Sequence, residues 1–354
     1  MVNRPIGRNK NEGWGIMMRS IVHRLVGMIG IVAVGAIAGG GGASAQEVLR
    51  VGAVVFGEHS SVRAIKEVFV PEVAKATQGR YKVEIYSDSQ LGGNAEVVQQ
   101  TRNGTIFGCF VSAAWVTSYV PKLGVAGLPF LFPDREHAFR AFDGPAGEEI
   151  RKALENSGFA TLGFMELGFR HLTTSRKKVS TPADLKGLKI RLQSNPVHIE
   201  TFRLLGANPV QIDGQELFAA LSQGVADGQE NPFSVISLFK LYEAKQKYLT
   251  ETGHFYDILT FLGSKRMLDK MSRADREAIL AAAAKTTALQ RRYAAEEEEK
   301  YKQNLVSNGV EITALTPAQR KAFEDAIAPI YPKIERELGA DFVKRFIAAA
   351  RSAN

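Results

Sequence analysis

Residues 272–306, SRADREAILAAAAKTTALQRRYAAEEEEKYKQNLV, form a stretch of 35 positions without a proline or glycine. Ser272 followed by Asp275 favours a capped helix N-terminus, and Asn308-Gly309 just beyond the stretch is typical of a helix end. At 1.5 Å per residue the predicted helix is about 50 Å long, which is more than one small lobe accommodates. The stretch therefore predicts a single helix that spans two lobes.

Strand and helix patterns alternate in the two-thirds of the chain that precede this helix, which indicates an α/β fold. The predicted strands lie at 48–55, 81–86, 105–111, 159–167, 170–174, 188–192, near 210 and at 225–229. The predicted helices lie at 60–77, 94–103, 135–142, 146–157, 196–205 and 216–223, and further helices begin at Pro232, after Thr316 and at Ala340. No low-complexity linker interrupts this alternation, so two lobes require the chain to cross between them several times.

The first 45 residues differ in character from the rest. Arg19 and Arg24 precede an apolar run of 14 residues at 25–38, and Ala43-Ser44-Ala45 follows a run of glycines. This order of segments is typical of a secretory signal peptide, so we predict cleavage after Ala45 and a periplasmic mature protein. An uncleaved membrane anchor is the alternative, although the run is shorter than the ~20 residues that a spanning helix needs. Three start positions stay open: Met1, Met17 and Met18.

Charge and cysteine content exclude several classes of protein. The formal charge of +8 falls to +4 when residues 1–45, with five basic side chains and one acidic side chain, are removed. No block of lysine and arginine predicts a nucleic-acid groove. Cys109 is the only cysteine, so the exported chain has no intramolecular disulfide partner and no lipid-anchoring cysteine. We expect a freely diffusing periplasmic protein.

Sequence signatures of common enzymes and metal sites are missing. The chain contains no Gly-x-Ser-x-Gly nucleophile elbow, no Walker A loop and no His-Glu-x-x-His zinc motif. The five histidines that remain after cleavage are not spaced at i, i+3 or i+4, as paired metal ligands on a helix would be. We predict a non-enzymatic protein that uses neither a metal nor a cofactor.

The densest group of polar residues lies between positions 168 and 232. Arg170 begins a predicted strand, Arg191 ends another, and Asn231 follows a third just before Pro232. In open α/β sheets, ligands bind in the crevice beyond the carboxyl ends of the strands. A guanidinium there donates two parallel hydrogen bonds to a carboxylate, and an asparagine amide holds its second oxygen. These residues predict a site for a small organic anion.

Several motifs resemble, in order, the solute-binding proteins of TRAP transporters, the DctP family. The motifs are QLGG at 90–93, LPFLF at 128–132, GFRHLT at 168–173, LKGLKIR at 185–191, LGANP at 205–209, ALSQG at 220–224 and DGQENP at 227–232, followed by Tyr242-Glu243 and a turn at Thr252-Gly253-His254. The resemblance covers essentially the whole mature chain. Motifs in a fixed order are far more specific than any one of them alone.

The resemblance implies a two-lobed, periplasmic-binding-protein-like α/β fold that closes on its ligand by a hinge. The long helix would span both lobes. Lobe I is predicted to comprise 46–168 and about 257–296, and lobe II to comprise 169–256 and about 297–354.

The resemblance also implies roles for individual residues. Arg191 matches the family's main carboxylate-binding arginine, Arg170 a second arginine that helps to hold the anion, and Asn231 the amide beside it. The family usually has an aromatic residue two positions before the glutamate matched by Glu216. This chain has Gly214 there, which predicts a missing pocket wall and leaves the ligand size open. Further candidates for ligand contact are Phe130, Trp115, Glu58, His59 and Gln90.

Together these observations predict a secreted binding protein for a small organic acid anion of the dicarboxylate or sugar-acid type. The resemblance implies delivery to a TRAP permease that consists of small and large membrane subunits and is driven by an ion gradient. Two alternatives stay open. One is a secreted enzyme on the same scaffold, with Glu166, Glu216 or Glu230 as acid–base groups. The other is a binding protein that serves a sensor kinase or an ATP-driven importer.

Overall fold

The computed structural model of the chain describes residues 46–352. The predicted signal peptide and its cleavage after Ala45 lie outside the described residues. In the described part there are nine strands: β1 (Glu47–Gly52), β2 (Tyr81–Tyr86), β3 (Gly108–Ser112), β4 (Phe159–Thr174), β5 (Lys189–Leu192), β6 (Asn208–Gln211), β7 (Gly228–Asn231), β8 (Tyr248–Ser264) and β9 (Glu311–Ala314).

The same residues contain thirteen α-helices: α1 (Ser60–Ala64), α2 (Val70–Ala76), α3 (Asn94–Asn103), α4 (Arg135–Asp143), α5 (Pro145–Asn156), α6 (Pro196–Leu204), α7 (Leu217–Gln223), α8 (Phe233–Leu238), α9 (Lys265–Leu268), α10 (Arg273–Ser307), α11 (Pro317–Ile327), α12 (Ile330–Leu338) and α13 (Ala340–Arg351). A π-helical turn, Ile65–Phe69, joins α1 to α2. No helix among residues 46–352 has the length and apolar character needed to cross a membrane.

The nine described strands form one mixed sheet in the order β2-β1-β3-β8-β4-β7-β5-β6, and β9 pairs with β8. β4 and β8 are 16 and 17 residues long and pair antiparallel through both halves of the sheet. β1, β2 and β3 are parallel to one another and form the first half of the sheet. β5, β6 and β7 are parallel to one another and form the second half. Each half is named together with the helices packed on it. β3 runs in the direction of β4, because both are antiparallel to β8, whereas β7 runs against β4. The carboxyl ends of the two sets therefore point toward each other.

These strand ends meet at an irregular part of the two long strands. Ser112, at the end of β3, is opposite Leu259, whereas Asn231, at the end of β7, is opposite His171. Between these levels β4 shifts its register against β8, once between Glu166 and Gly168 and again after Arg170. Such irregularities bend a strand and interrupt its pairing. The topology thus leaves a gap between two sets of carboxyl ends where the halves join.

The long helix predicted at 272–306 is confirmed as α10. Its cap is Ser272, whose hydroxyl accepts a hydrogen bond from the Asp275 amide. The helix packs against α1 and α2 in the first half, against α8 in the second half, and along β4. The buried Gln290 side chain accepts from the Glu166 amide and donates to the Glu166 carbonyl, at 2.8 and 2.7 Å. The helix therefore supplies hydrogen bonds to the strand at the junction of the halves.

The structure corrects the sequence-based elements in several places. The strands predicted at 159–167 and 170–174 are one strand, β4, and it continues through Gly168. The turn expected at Thr252-Gly253-His254 is instead a bulge within β8, opposite His171. β8 is buried along almost its whole length, so it lacks the alternation by which exposed strands are recognised. β8 was therefore not predicted, and β9 and α12 were not predicted either.

The C-terminal helices contact both halves. α13 packs against α4 and α5, while α11 and α12 contact α6. The predicted boundaries assign 297–354 to lobe II and 135–156 to lobe I, so α13 contacts residues assigned to the other lobe. The division into lobes at these boundaries stays a prediction.

Candidate functional site

A small cavity lies in the gap between the two sets of strand ends, and the space between its lining atoms is about 440 Å³ with open solvent at its mouth included. Its lining comes from both halves and from the middle of the two long strands, and includes Val54, Ser112, Trp115, Leu167, Arg191, Gln193, Gly214, Asn231 and Leu259. Crevices beyond the carboxyl ends of strands are the usual ligand sites of open α/β sheets. The structure therefore brings together four of the predicted residues, namely Arg191, Asn231, Gly214 and Trp115.

Arg191 is a buried cation that the described chain does not neutralise. Its side chain is 2% exposed, and Nε and Nη2 both donate to the Ile212 carbonyl, at 2.8 and 2.6 Å. Among residues 46–352 no carboxylate lies within ion-pair distance of it. Burial, followed by repulsion from Arg170, lowers the pKa of Arg191 to about 10. A guanidinium held in this way is available to an anion that enters the cavity.

Arg170 differs from its expected position because it lies behind the cavity wall rather than in it. It is fully buried, and Nε and Nη2 donate to the two Glu230 carboxylate oxygens, at 2.5 and 2.9 Å. Its Nη1 donates to Asp257 at 2.6 Å. Burial by itself lowers the pKa of Arg170, but the two carboxylates outweigh it and raise that pKa. Arg170 is thus neutralised by carboxylates of the chain itself.

A buried polar network connects Arg170 to the cavity. The Ser112 hydroxyl lies 2.6 Å from Asp257 Oδ1 and 3.1 Å from Gln193 Oε1, and both Ser112 and Gln193 line the cavity. The prediction from sequence missed these two residues. Gln193 is two positions after Arg191 and directly follows β5, and side chains two positions apart in an extended segment lie on the same face. That spacing is the signal by which Gln193 could have been found.

The Asn231 amide is oriented by a chain of side-chain hydrogen bonds. Asn231 Nδ2 donates to Gln229 Oε1 at 2.5 Å, and Gln229 Nε2 donates to the Thr173 hydroxyl at 2.8 Å. This leaves the Asn231 Oδ1 atom without a donor in the described chain. Asn231 is 3% exposed and lines the cavity, and its contact with an anion stays a prediction.

Gly214 lies where the two halves touch. A Cβ atom there would be 3.2 Å from Val54 Cγ1 and 3.3 Å from Asn94 Nδ2, both in the first half. The neighbouring Asp213 accepts from the Asn94 amide and from Asn94 Nδ2, at 3.1 and 3.0 Å. Asp213 therefore caps the N-terminus of α3 across the gap. The missing side chain at 214 does not enlarge the cavity, because the first half occupies that space.

The remaining predicted residues lie elsewhere. Phe130 borders a different cavity beside the C-terminal helices, where the Arg320 guanidinium stands 4.9 Å from its ring. His59 is buried as the cap of α1 and borders a separate cavity next to α10. Three further residues are exposed and do not line the central cavity, namely Glu58, Gln90 and Glu216. Ligand contact by these five residues stays a prediction.

The acidic groups considered for catalysis do not line the central cavity either. Burial raises the pKa of Glu166 to about 7, although Arg135 lies 3.4 Å away and acts in the opposite direction. Burial also disfavours ionised Glu230, but Arg170 outweighs it and lowers the pKa of Glu230. In the described residues no three His, Cys, Asp or Glu side chains are grouped so that they could hold a metal ion.

A gap between two α/β halves that contains a buried, unneutralised guanidinium indicates a two-lobed binding protein for a small anion. Residues 52–337 match the family described as bacterial extracellular solute-binding protein, family 7 (DctP). The chain belongs to this family.

Known relatives have the same architecture. A solute-binding protein of Verminephrobacter eiseniae is 36% identical over 297 residues, which are 84% of this chain and 88% of that protein. The crystal structure of the sugar acid binding protein DctPAm from Advenella mimigardefordensis, in complex with galactonate, matches with a TM-score of 0.83 and 32% identity. The match covers 86% of this chain and 98% of the DctPAm chain. The structure of a TRAP periplasmic solute-binding protein from Ralstonia eutropha with bound (S)-2-acetolactate matches with a TM-score of 0.81 and 31% identity. The match covers 86% of this chain and 98% of that chain. The predicted two-lobed fold is thereby confirmed.

Proposed function

We propose that the chain captures a small organic acid anion in the periplasm and delivers it to a TRAP-type permease. The observation that carries the proposal is Arg191, a buried guanidinium that lines the cavity and has no carboxylate partner in the described chain. Burying a cation without an anion is unfavourable, so the site is completed by a ligand that carries one. The relatives that bind galactonate and acetolactate support this choice of ligand chemistry.

Capture proceeds by docking and closure. The ligand carboxylate accepts hydrogen bonds from Arg191, and the polar side chains of Gln193 and Asn231 lie on the same wall to orient it. Micromolar affinity corresponds to about −8 kcal/mol, which a few charge-assisted hydrogen bonds and cavity burial together supply. Contact between Asp213 and Asn94 then holds the halves together over the ligand.

Closure also provides the signal for delivery. When the halves meet, the surface around the cleft changes, and a membrane partner can distinguish loaded from empty protein. The signal peptide that ends at Ala45 would direct the chain to the periplasm, where the permease subunits of the TRAP type present their outer surface. Ligand is released unchanged in this scheme, and recovery of a chemically altered ligand would favour the enzyme alternative.

The experiment is a thermal-shift screen of organic acids, followed by calorimetry of the best ligand on Arg191→Ala. Bound ligand raises the unfolding temperature by mass action. We expect the substitution to raise Kd at least about tenfold, since it removes the cation that the carboxylate needs. Arg203→Ala, at an exposed arginine of α6, is the matched control and should leave Kd unchanged. Equal affinity of wild type and Arg191→Ala would reject the proposal.

A further inference from the structure

The cavity offers a single positive charge. Within residues 46–352, Arg191 is the only charged side chain among those that line it. Arg170, the nearest other buried arginine of the site, already binds Glu230 and Asp257 and does not reach the lining. A second carboxylate on the ligand would therefore be desolvated without a cation to pair with, which is strongly unfavourable.

The lining contains few polar side chains. Besides Arg191 they are Ser112, Gln193, Asn231, Asn94 and Trp115, which offers only its indole N–H. One of the two N–H donors of Asn94 Nδ2 is already used, because it binds Asp213. The ligand carboxylate and one adjacent polar group are enough to engage the strand-end residues Ser112, Gln193 and Asn231.

The rest of the lining is apolar. It comes from β3, β4 and β8, from α7 and α8, and from residues that follow β1 and α8, and it includes Val54, Val55, Leu217, Val235 and Phe239. None of these side chains can donate or accept a hydrogen bond. A row of hydroxyl groups along the ligand would lose its hydrogen bonds to water and find no replacements here.

The space is also limited. The space between the lining atoms is about 440 Å³ even when open solvent at the mouth of the cavity is included. The short distances from position 214 to Val54 and Asn94 show that the halves already touch beside the cavity, so closure cannot leave additional room there. A compact ligand fits this geometry better than an extended one.

We infer that the cavity selects a compact monocarboxylate, with at most one polar group next to the carboxylate and an apolar, branched remainder. Dicarboxylates and polyhydroxylated acids would bind more weakly. This inference rests on the proposed function, because it assumes that the cavity around Arg191 is the ligand site.

The test compares three acids of similar size by calorimetry on the purified mature protein: 3-methyl-2-oxobutanoate, succinate and erythronate. We expect the first to bind at least about tenfold more tightly than the other two, and to lose its binding in Arg191→Ala. Tighter binding of succinate or erythronate that still depends on Arg191 would overturn this inference and leave the proposed function intact. If the tightest acid binds Arg191→Ala as well as it binds wild type, the proposed function fails, and the inference fails with it.

A variant tests the apolar lining directly. Val235→Thr replaces a methyl group by a hydroxyl of similar size, and should reduce the preference for 3-methyl-2-oxobutanoate over erythronate about threefold or more. Val97→Thr, at a fully buried valine of α3 outside the lining, is the control for lost stability and should leave that preference unchanged. An unchanged preference in Val235→Thr, with its fold verified by thermal unfolding, would contradict the inference.

Discussion

Arg170 and Arg191 are both buried arginines near the same junction of the sheet, yet their surroundings are opposite. Arg170 meets the carboxylates of Glu230 and Asp257, at 2.5 and 2.6 Å. Arg191 meets one backbone carbonyl and the cavity. The same residue type therefore forms part of an internal ion network in one place and an unneutralised site in the other. Burial alone does not reveal which arginine binds a ligand, whereas the location of its counter-ions does.

The first consequence concerns stability. Arg170→Met leaves two buried carboxylates without their cation, so we expect the free energy of unfolding to fall by about 3–5 kcal/mol. Arg191→Met removes a buried cation that has no carboxylate partner, and should leave that free energy unchanged or higher. Denaturant unfolding of both variants checks the difference. Equal losses of unfolding free energy in the two variants would contradict the difference between the two arginines.

The second consequence is that stability and binding respond differently to pH. Burial lowers the pKa of four histidines below the usual 6.5 and is the largest cause in each case. The pKa falls to about 4 for His59 and to about 3 for His171 and His198. The pKa of His254 is lowered as well. As pH falls below 6.5 the unfolded chain takes up these protons first, so the folded state loses stability, by on the order of 2 kcal/mol at pH 5 for each of His59, His171 and His198. Glu166, with its pKa raised to about 7, opposes this trend.

Unfolding measured from pH 7 to 5 checks this prediction, and His198→Gln should remove one such contribution. Affinity should stay flat over the same range, because Arg191, with a pKa of about 10, remains charged. A stability that rises on acidification, or a slope unchanged in His198→Gln, would contradict the assignment.

The third prediction concerns the contact across the gap. Asp213→Ala removes the cap that the second half places on α3, and caps are worth about 1 kcal/mol. Because the contact joins the halves only when they are closed, we expect Kd to rise about fivefold. Asp134→Ala removes a cap within the first half, on α4, and should lower stability without affecting Kd. Ligand titrations of both variants decide; equal effects on Kd would show that Asp213 does not link closure to binding.

The smallest expected effect is at Gly214. Gly214→Ala would place a methyl group 3.2 Å from Val54 and 3.3 Å from Asn94, so the halves could close only after a small shift. We expect Kd to rise two- to threefold with little change in stability. Gly57→Ala, where the added atom would be no closer than 3.7 Å to its neighbours, is the control. Tighter binding by Gly214→Ala would mean that a side chain there fills the cavity rather than separating the halves.

Local signals in the sequence account for much of the fold. The 35-residue helix, its cap at Ser272 and most strands of the two parallel sets were predicted from periodicity and capping residues. The missed strand β8 shows the limit of this reasoning. It is buried along most of its length, and its partners β3, β4 and β9 come from distant parts of the chain. A pattern confined to one segment contains no information about such pairings.

The candidate site shows the same limit. Motif order placed Arg191, Asn231 and Gly214 near one another, and the structure brings all three to one cavity. Ser112 and Asn94 became visible only when strand ends from both halves were brought together, whereas the spacing of Gln193 from Arg191 was a signal that the prediction did not use. Glu58 and Gln90 were predicted because they follow strands of the first half, and Glu216 because it matches a motif position. The end of a strand fixes the edge of the sheet at which a residue lies, but not the direction of its side chain.

The sequence by itself determined the family, the α/β class, the spanning helix and the presence of arginines at strand ends, because these depend on local spacing and residue type. Only the tertiary structure decided which arginine is neutralised and which faces the cavity. Counter-ions are brought to Arg170 by β7 and β8, at sequence separations of 60 and 87 residues. Electrostatic neutralisation depends on distances of a few ångströms, and those are set by the assembled sheet.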